Sequence, residues 1–275
     1  MWIAAERTYL SNTPGVVAGE FLRLSNVNVA RGESVVLHDI NLNIAAGEHV
    51  ALLGPNGCGK STLIKTIACE CYPIVVPGME VSIYGRPRWD LTALRRHLGV
   101  VQAGLPGEMT LRTNGLNAVI AGFFSASTLW PNLQVMDEMR LRAEEALGRL
   151  AAAHLATKLV GEMSSGEKRR ILIARSLVHR PQTLLLDEPS NDLDLAAQRE
   201  LRESLRRLAR EGTGILMVTH HLADILPEID RVLLMKQGRI VADGPKESTL
   251  TAAALEALFG VPVELVKRDG FLYSW

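Results

Sequence analysis

Gly54-Pro55-Asn56-Gly57-Cys58-Gly59-Lys60-Ser61-Thr62 fits the phosphate-binding loop pattern G-x-x-x-x-G-K-[ST]. Glycines let such a turn aim consecutive backbone N–H groups inward at phosphate oxygens. Lys60 then reaches the β- and γ-phosphates, and the Ser61 hydroxyl is placed to ligate magnesium. All nine residues, Gly54 to Thr62, are candidate nucleotide-binding residues. The flanks agree: His49-Val50-Ala51-Leu52-Leu53 reads as a buried strand entering the loop. Thr62-Leu63-Ile64-Lys65-Thr66-Ile67 reads as a helix whose N-terminal dipole faces the phosphates.

Four further apolar runs, Leu98-Gly99-Val100-Val101, Thr183-Leu184-Leu185-Leu186, Ile215-Leu216-Met217-Val218 and Val232-Leu233-Leu234-Met235, are separated by helical patterns. Apolar throughout, they predict parallel strands covered on both faces. Between Phe21 and Ile44 the pattern instead alternates in short runs divided by turn signals at Arg31-Gly32 and Ala46-Gly47, which predicts antiparallel strands. A helix follows Asp194, its predicted N-cap. Leu201, Leu205 and Leu208 recur on its buried side, Arg199, Arg202, Glu203, Arg206 and Arg210 on its solvated side, and Gly212 ends it. From about 103 to 165 the pattern is helical, with Met139, Ala143, Ala146, Leu147 and Leu150 as a core stripe. The expected fold is α/β: a P-loop NTPase core with a mainly parallel sheet, an antiparallel β subdomain and an inserted α-helical subdomain.

Thr183-Leu184-Leu185-Leu186-Asp187-Glu188 places two carboxylates at the C-terminal end of a buried strand, where open α/β sheets bind ligands. In this Walker B pattern Asp187 holds magnesium through its water shell, and Glu188 is the candidate base for an attacking water. Met163-Ser164-Ser165-Gly166-Glu167 and the helix Lys168 to Arg175 resemble the signature of ATP-binding-cassette ATPases. Asp187-Glu188-Pro189-Ser190-Asn191-Asp192-Leu193-Asp194 is similar to their Walker B and D-loop. Gln102 stands at the Q-loop position, and Thr219-His220 follows a strand as the family's switch histidine does. The resemblance spans about Phe21 to Gly244.

It implies catalytic roles for Glu188, His220 and Gln102, a magnesium site of Ser61, Gln102 and Asp187, and ATP as the nucleotide. It also implies a head-to-tail dimer in which Ser164, Gly166 and Asp194 serve a shared nucleotide site. A Ser-x-Gly turn at a helix start suits a γ-phosphate on physical grounds alone, and Ser164 is equally a plain N-cap. His220 is expected to contact the γ-phosphate, whereas His221 has no motif role. Three positions depart from the family pattern. Arg31 stands where an aromatic residue often stacks on adenine, Ser165 replaces a glycine, and Glu167 replaces a frequent glutamine. The Arg31 departure leaves base stacking open, since a planar guanidinium can also stack.

Lys+Arg and Asp+Glu both number 30, so no basic excess advertises a nucleic acid, and none is expected as partner. Composition, 47% hydrophobic and 22% charged, is that of a globular protein with a sizeable core. Cys58, Cys69 and Cys71 form neither a disulfide framework nor a C-x-x-C pair, in keeping with a reducing cytosol. Cys58 reads as a tolerated small residue; a thiolate favoured by the helix N-terminus is the alternative. Glu6 and Arg7 interrupt what a secretion signal would keep apolar, and polar residues with Pro131 interrupt the uncharged stretch Thr113 to Met136.

The expected organisation is an N-terminal extension over 1–20, the ATPase domain over 21–250 and a tail over 251–275. The expected function is the ATP-hydrolysing subunit of a transporter. It would dimerise with a second cassette, drive a separately encoded permease and sit on the cytoplasmic face of the inner or plasma membrane. Phe123, Phe124 and Trp130 are either a docking surface or core. The segment Ala257 to Glu264 resembles the tail of importer ATPases for chelated iron and cobalamin. Two other readings are a stand-alone cassette acting as a nucleotide-switched module and a kinase, and the kinase has no use for the signature.

Overall fold

The computed structural model describes residues 19–102, 104 and 107–274, so the extension read at 1–20 lies outside the described residues except for Gly19 and Glu20. The strands are β1 (Glu20–Arg31), β2 (Ser34–Ala45), β3 (His49–Leu53), β4 (Glu80–Ile83), β5 (Leu98–Val101), β6 (Thr183–Asp187), β7 (Gly214–Thr219), β8 (Arg231–Lys236), β9 (Arg239–Pro245), β10 (Leu265–Arg268) and β11 (Phe271–Ser274). The α-helices are α1 (Lys60–Ile67), α2 (Leu91–Leu94), α3 (Gly115–Ile120), α4 (Asp137–Arg149), α5 (Ser165–Leu177), α6 (Leu195–Arg210), α7 (Lys246–Thr249) and α8 (Ala252–Phe259).

A six-stranded sheet of order β5-β6-β7-β3-β8-β9 forms the centre, parallel except for its edge strand β9. Its apolar runs are explained by two cores, because strand side chains alternate between faces. Leu52, Leu185, Leu216 and Leu233 enter one core, shared with Leu63, Ile64 and Ile67 of α1 and with the three-stranded antiparallel sheet β2-β1-β4. Leu53, Leu184, Leu186, Met217 and Leu234 enter the other, shared with the helical segment and α6. An alternating strand would leave one face wet; these strands have no wet face.

The predicted stripe is real: Met139, Ala143, Ala146, Leu147 and Leu150 are all buried, and α4 packs on α3 and α5. Leu201, Leu205 and Leu208 of α6 are buried too, and Asp194 caps that helix by accepting from Ala197 N–H at 2.7 Å. The opposite face of α6 is not simply solvated, as the sequence suggested. The β10–β11 hairpin lies over it, with the Phe271 ring 5.5 Å from the Arg202 guanidinium. Among the described residues no helix is long and apolar enough to cross a membrane.

Register decides where chemistry can occur. Leu53 pairs with Thr219, Asp187 with Val218, and Val101 with Leu186. Four neighbouring parallel strands therefore end level with one another. The residues that follow are Gly54 after β3, His220 after β7, Glu188 after β6 and Gln102 after β5.

Candidate functional site

The phosphate loop is shaped by what lies beneath it. A Cβ on Gly54 would sit 2.4 Å from the Met235 carbonyl oxygen, and Gly59 occupies the α1 N-cap at φ 110°, a left-handed conformation that side chains resist. The β8–β9 turn, Gln237-Gly238, has φ of 48° and 74°, the positive pair of a tight hairpin turn. Gly238 N–H donates to the Cys58 carbonyl at 2.8 Å and so braces the loop from below. Sequence reasoning missed Gly238; the glycine between two apolar runs was its signal.

Lys60 is only 5% exposed. Its Nζ donates to the carbonyls of Gly54 at 2.7 Å and Pro55 at 3.0 Å, and lies 3.7 Å from Glu188 Oε1. Glu188 has φ 46°, unusual for a residue with a side chain, and its N–H is fixed to the Val218 carbonyl at 2.8 Å. Its Oε1 also meets His220 Nδ1 at 3.0 Å, and its Oε2 accepts from Asn191. Burial alone would raise this carboxyl. The bonds from His220 and Asn191 and the charge of Lys60 outweigh burial and hold it below the usual carboxylate range. Glu188 is therefore an ionised acceptor facing Lys60. His221 stacks on His220, ring centroids 3.8 Å apart.

Asp187 is shifted the other way: burial first, then the adjacent Glu188, push its carboxyl up against the pull of Lys60, Lys65 and Arg169. A divalent cation relieves such a site. Ser61 is exposed at the first turn of α1, and Gln102 Nε2 donates to Glu70 at 3.2 Å, so the amide oxygen is the Gln102 atom whose chemistry suits a cation. No group of three or more His, Cys, Asp or Glu among the described residues could hold a metal. A hydroxyl, an amide and one carboxylate are hard oxygen donors that fit magnesium shared with phosphates.

Ser164 caps α5 in a reciprocal capping box: Glu167 N–H donates to Ser164 Oγ at 3.2 Å and Ser164 N–H to Glu167 Oε2 at 2.7 Å. Lys158 at 2.8 Å holds the Glu167 carboxyl low, so glutamate at this position serves the cap. A Cβ on Gly166 would meet the Ala197 Cβ at 2.6 Å, so glycine here also lets α5 approach α6. Ser164 and Gly166 share no hydrogen bond or ion pair with Lys60 or Glu188 among the described residues. Asp194, read as a nucleotide contact, has its carboxylate engaged by the α6 cap.

Besides Gly238, sequence reasoning gave no site role to Asn191 or Asp224. Asp224 is 3% exposed and accepts from Ser190 Oγ at 2.6 Å and Thr219 Oγ1 at 2.8 Å, tying the segment after Glu188 to the strand before His220. Nothing in the local sequence flagged it, since the bond from Ser190 joins positions far apart in the chain. Cys58 is buried, and burial pushes its thiol up despite Lys60, which disfavours a thiolate there. Arg31 is exposed and its Nη1 donates to Cys71 Sγ at 3.5 Å. Phe123 is core, packed edge-on against His179, and Phe124 is half-buried, whereas Trp130 is 45% exposed.

The family model described as "ABC transporter" matches residues 37–191, more than half the chain. The "Hemin import ATP-binding protein HmuV" of Photobacterium damselae subsp. damselae is 32% identical over 259 residues, covering 92% of this chain and 94% of its own. The solved structure of cbiO1 from Clostridium perfringens, part of the ABC transporter complex cbiONQ, superposes with a TM-score of 0.72 at 29% identity. It covers 87% of this chain and 94% of that one. The ATP-binding cassette MJ0796, a dimer in a post-hydrolysis state bound to ADP and Pi, gives 0.67 at 28% identity over 82% of this chain and 98% of that one. With the phosphate loop, Walker B pair and switch histidine gathered on adjoining strand ends, the chain belongs to the ABC transporter family as its ATP-binding, ATP-hydrolysing cassette.

Proposed function

We propose that Lys60, Glu188 and His220 form the hydrolytic centre, with Gly54 to Thr62 cradling the phosphates. The carrying observation is Glu188 Oε1 set between Lys60 Nζ at 3.7 Å and His220 Nδ1 at 3.0 Å. The Glu188 carboxylate accepts a proton from water as the water oxygen bonds to the γ-phosphorus. The bond from that phosphorus to the β–γ bridging oxygen breaks, and ADP leaves with the electron pair. Lys60 balances charge on the phosphoryl oxygens, and His220 orients Glu188 and the water. Ser61, Asp187 and Gln102 would hold magnesium, which would supply charge neutralisation on the phosphates.

Ser164 and Gly166 belong to a second nucleotide face. At the N-terminus of α5 they offer a hydroxyl and a positive dipole end to the γ-phosphate held by another copy, which makes two shared sites in a head-to-tail dimer. Asp194 acts there by fixing the start of α6. A groove of about 380 Å³ runs between the helical segment and the sheet, lined by Glu70, Gln102, Gly122 and Arg175. A segment of a separate permease seated in it would touch Gln102 directly, and exposed Trp130 is a second candidate contact for it. The protein then works on the cytoplasmic face of the membrane.

Relatives named for hemin import and the Ala257 to Glu264 tail support import of a metal chelate of the haem class. The test is co-purification from detergent-solubilised membranes, followed by haem uptake into proteoliposomes holding the pair. A co-purifying permease with ATP-dependent haem uptake supports the assignment. Robust ATPase activity with no membrane partner favours the stand-alone module, and a permease that moves no haem overturns the cargo alone.

A further inference from the structure

Arg199, Arg202 and Arg206 share one face of α6, and the β10–β11 hairpin roofs it. Between helix and hairpin lies a cleft of about 740 Å³ that contains no residue of the nucleotide motifs. Its charges do not cancel. Arg206 is bound to Glu228 at 3.0 Å and Glu203 at 3.1 Å, and Arg268 lies 3.9 Å from Asp269. Arg199 and Arg202 have no carboxylate partner among the described residues. Phe271 lies under the guanidinium groups of Arg202 and Arg206, and Tyr273 continues the aromatic wall.

The cleft is also wired to the catalytic loops. Arg202 Nη1 donates to the Ala223 carbonyl at 3.0 Å, in a 3-10 turn, Leu222–Asp224, on which β11 packs. The next residue, Asp224, holds Ser190 and Thr219. Those two flank Glu188 and His220 in sequence.

We propose that this cleft binds a small soluble anion carrying phosphate groups, and that its occupancy stiffens the turn behind His220. Guanidinium forks match phosphate oxygens in shape and charge, a concave site of this size suits a small molecule, and the aromatic wall excludes water from one side. An anion bridging Arg199 and Arg202 on α6 to Arg268 on the hairpin clamps the hairpin onto the turn. Asp224 passes that restraint to both catalytic loops. Binding stands without the ATPase assignment; the regulatory consequence rests on it.

The probe is inorganic pyrophosphate, titrated calorimetrically in magnesium-free buffer into the full chain carrying Lys60→Ala, which weakens the phosphate loop as a competing site. One site is expected, weakened about tenfold or more by adding Arg199→Gln, the loss of one charge-assisted contact. Arg199 is exposed and holds no partner among the described residues, so this change leaves the fold intact, and Arg210→Gln, outside the cleft, leaves affinity unchanged. Amide exchange over residues 219–226 should slow on adding pyrophosphate, and should not in the Arg199→Gln variant. No binding, or binding indifferent to Arg199→Gln, overturns the site. Binding that depends on Arg199 but leaves exchange over 219–226 unaltered overturns the coupling.

Discussion

Lys60 Nζ and Glu188 Oε1 face each other across 3.7 Å although 128 positions separate them in sequence, and that oxygen also meets His220 Nδ1. Parallel register produces the encounter: β3, β7 and β6 are adjacent, so the residues after their ends share one edge. The proposed base and the proposed phosphate-binding cation are thus one electrostatic unit. Changing either alters the charge the other feels.

Lys60→Ala should weaken nucleotide binding about 10–100-fold, the loss of a charge-assisted contact of about 1.5–3 kcal/mol, and abolish most turnover. Calorimetry with ATP measures the affinity. Wild-type affinity would remove Lys60 from the site.

Asn191→Ala removes one of the bonds that hold the Glu188 carboxyl low. Its pKa should rise, so the acid limb of the hydrolysis rate should move to higher pH while the neutral plateau changes little. The sign follows from a depressed carboxyl, whose ionised form is favoured above its unfolded pKa and lost as pH falls through the folded one. A pH–rate profile that is unchanged, or that moves to lower pH, contradicts the assigned hydrogen bond.

Much of this was legible because strands covered on both faces are continuously apolar, and Gly54, Gln102, Glu188 and His220 each follow directly after one while Asp187 closes β6. Asp187, Glu188 and His220 could be placed from that rule alone. Asp224 and Gly238 could not, since each acts through a hydrogen bond to a loop distant in sequence. Arg199, Glu203 and Arg210 of α6 are exposed as the periodicity suggested, but the β10–β11 hairpin packs over Arg202 and Arg206, and helical periodicity cannot report what packs on a charged face. Phe123 and Trp130, seven positions apart in an uncharged segment, looked equivalent until packing against His179 separated them.

That separation is measurable. Phe123→Ser should destabilise the protein by about 3–5 kcal/mol as a large-to-small core change, whereas Trp130→Ser should fall within about 0.5 kcal/mol of wild type. Trp130→Ser should instead reduce co-purification with the permease. Equal stability losses in urea unfolding would mean both side chains are core.

Ser164→Arg should leave nucleotide binding by the single chain intact and prevent dimer closure through bulk and charge. A mixed dimer of Ser164→Arg with Lys60→Ala keeps one intact shared site, so hydrolysis should return in part. Demonstrated mixed dimers without any recovery would contradict sites shared between copies.

The most direct test of the hydrolytic centre is Glu188→Gln, assayed together for ATP binding, turnover and association state. Near-isosteric glutamine keeps the contact surface but cannot accept the proton, so ATP should bind with nearly wild-type affinity. Turnover should fall by about 100-fold or more, the usual contribution of a general base, and an ATP-bound dimer should accumulate in size-exclusion chromatography. Hydrolysis near the wild-type rate in that variant would show that Glu188 is not the base and that the Lys60–Glu188–His220 arrangement is not the catalytic unit.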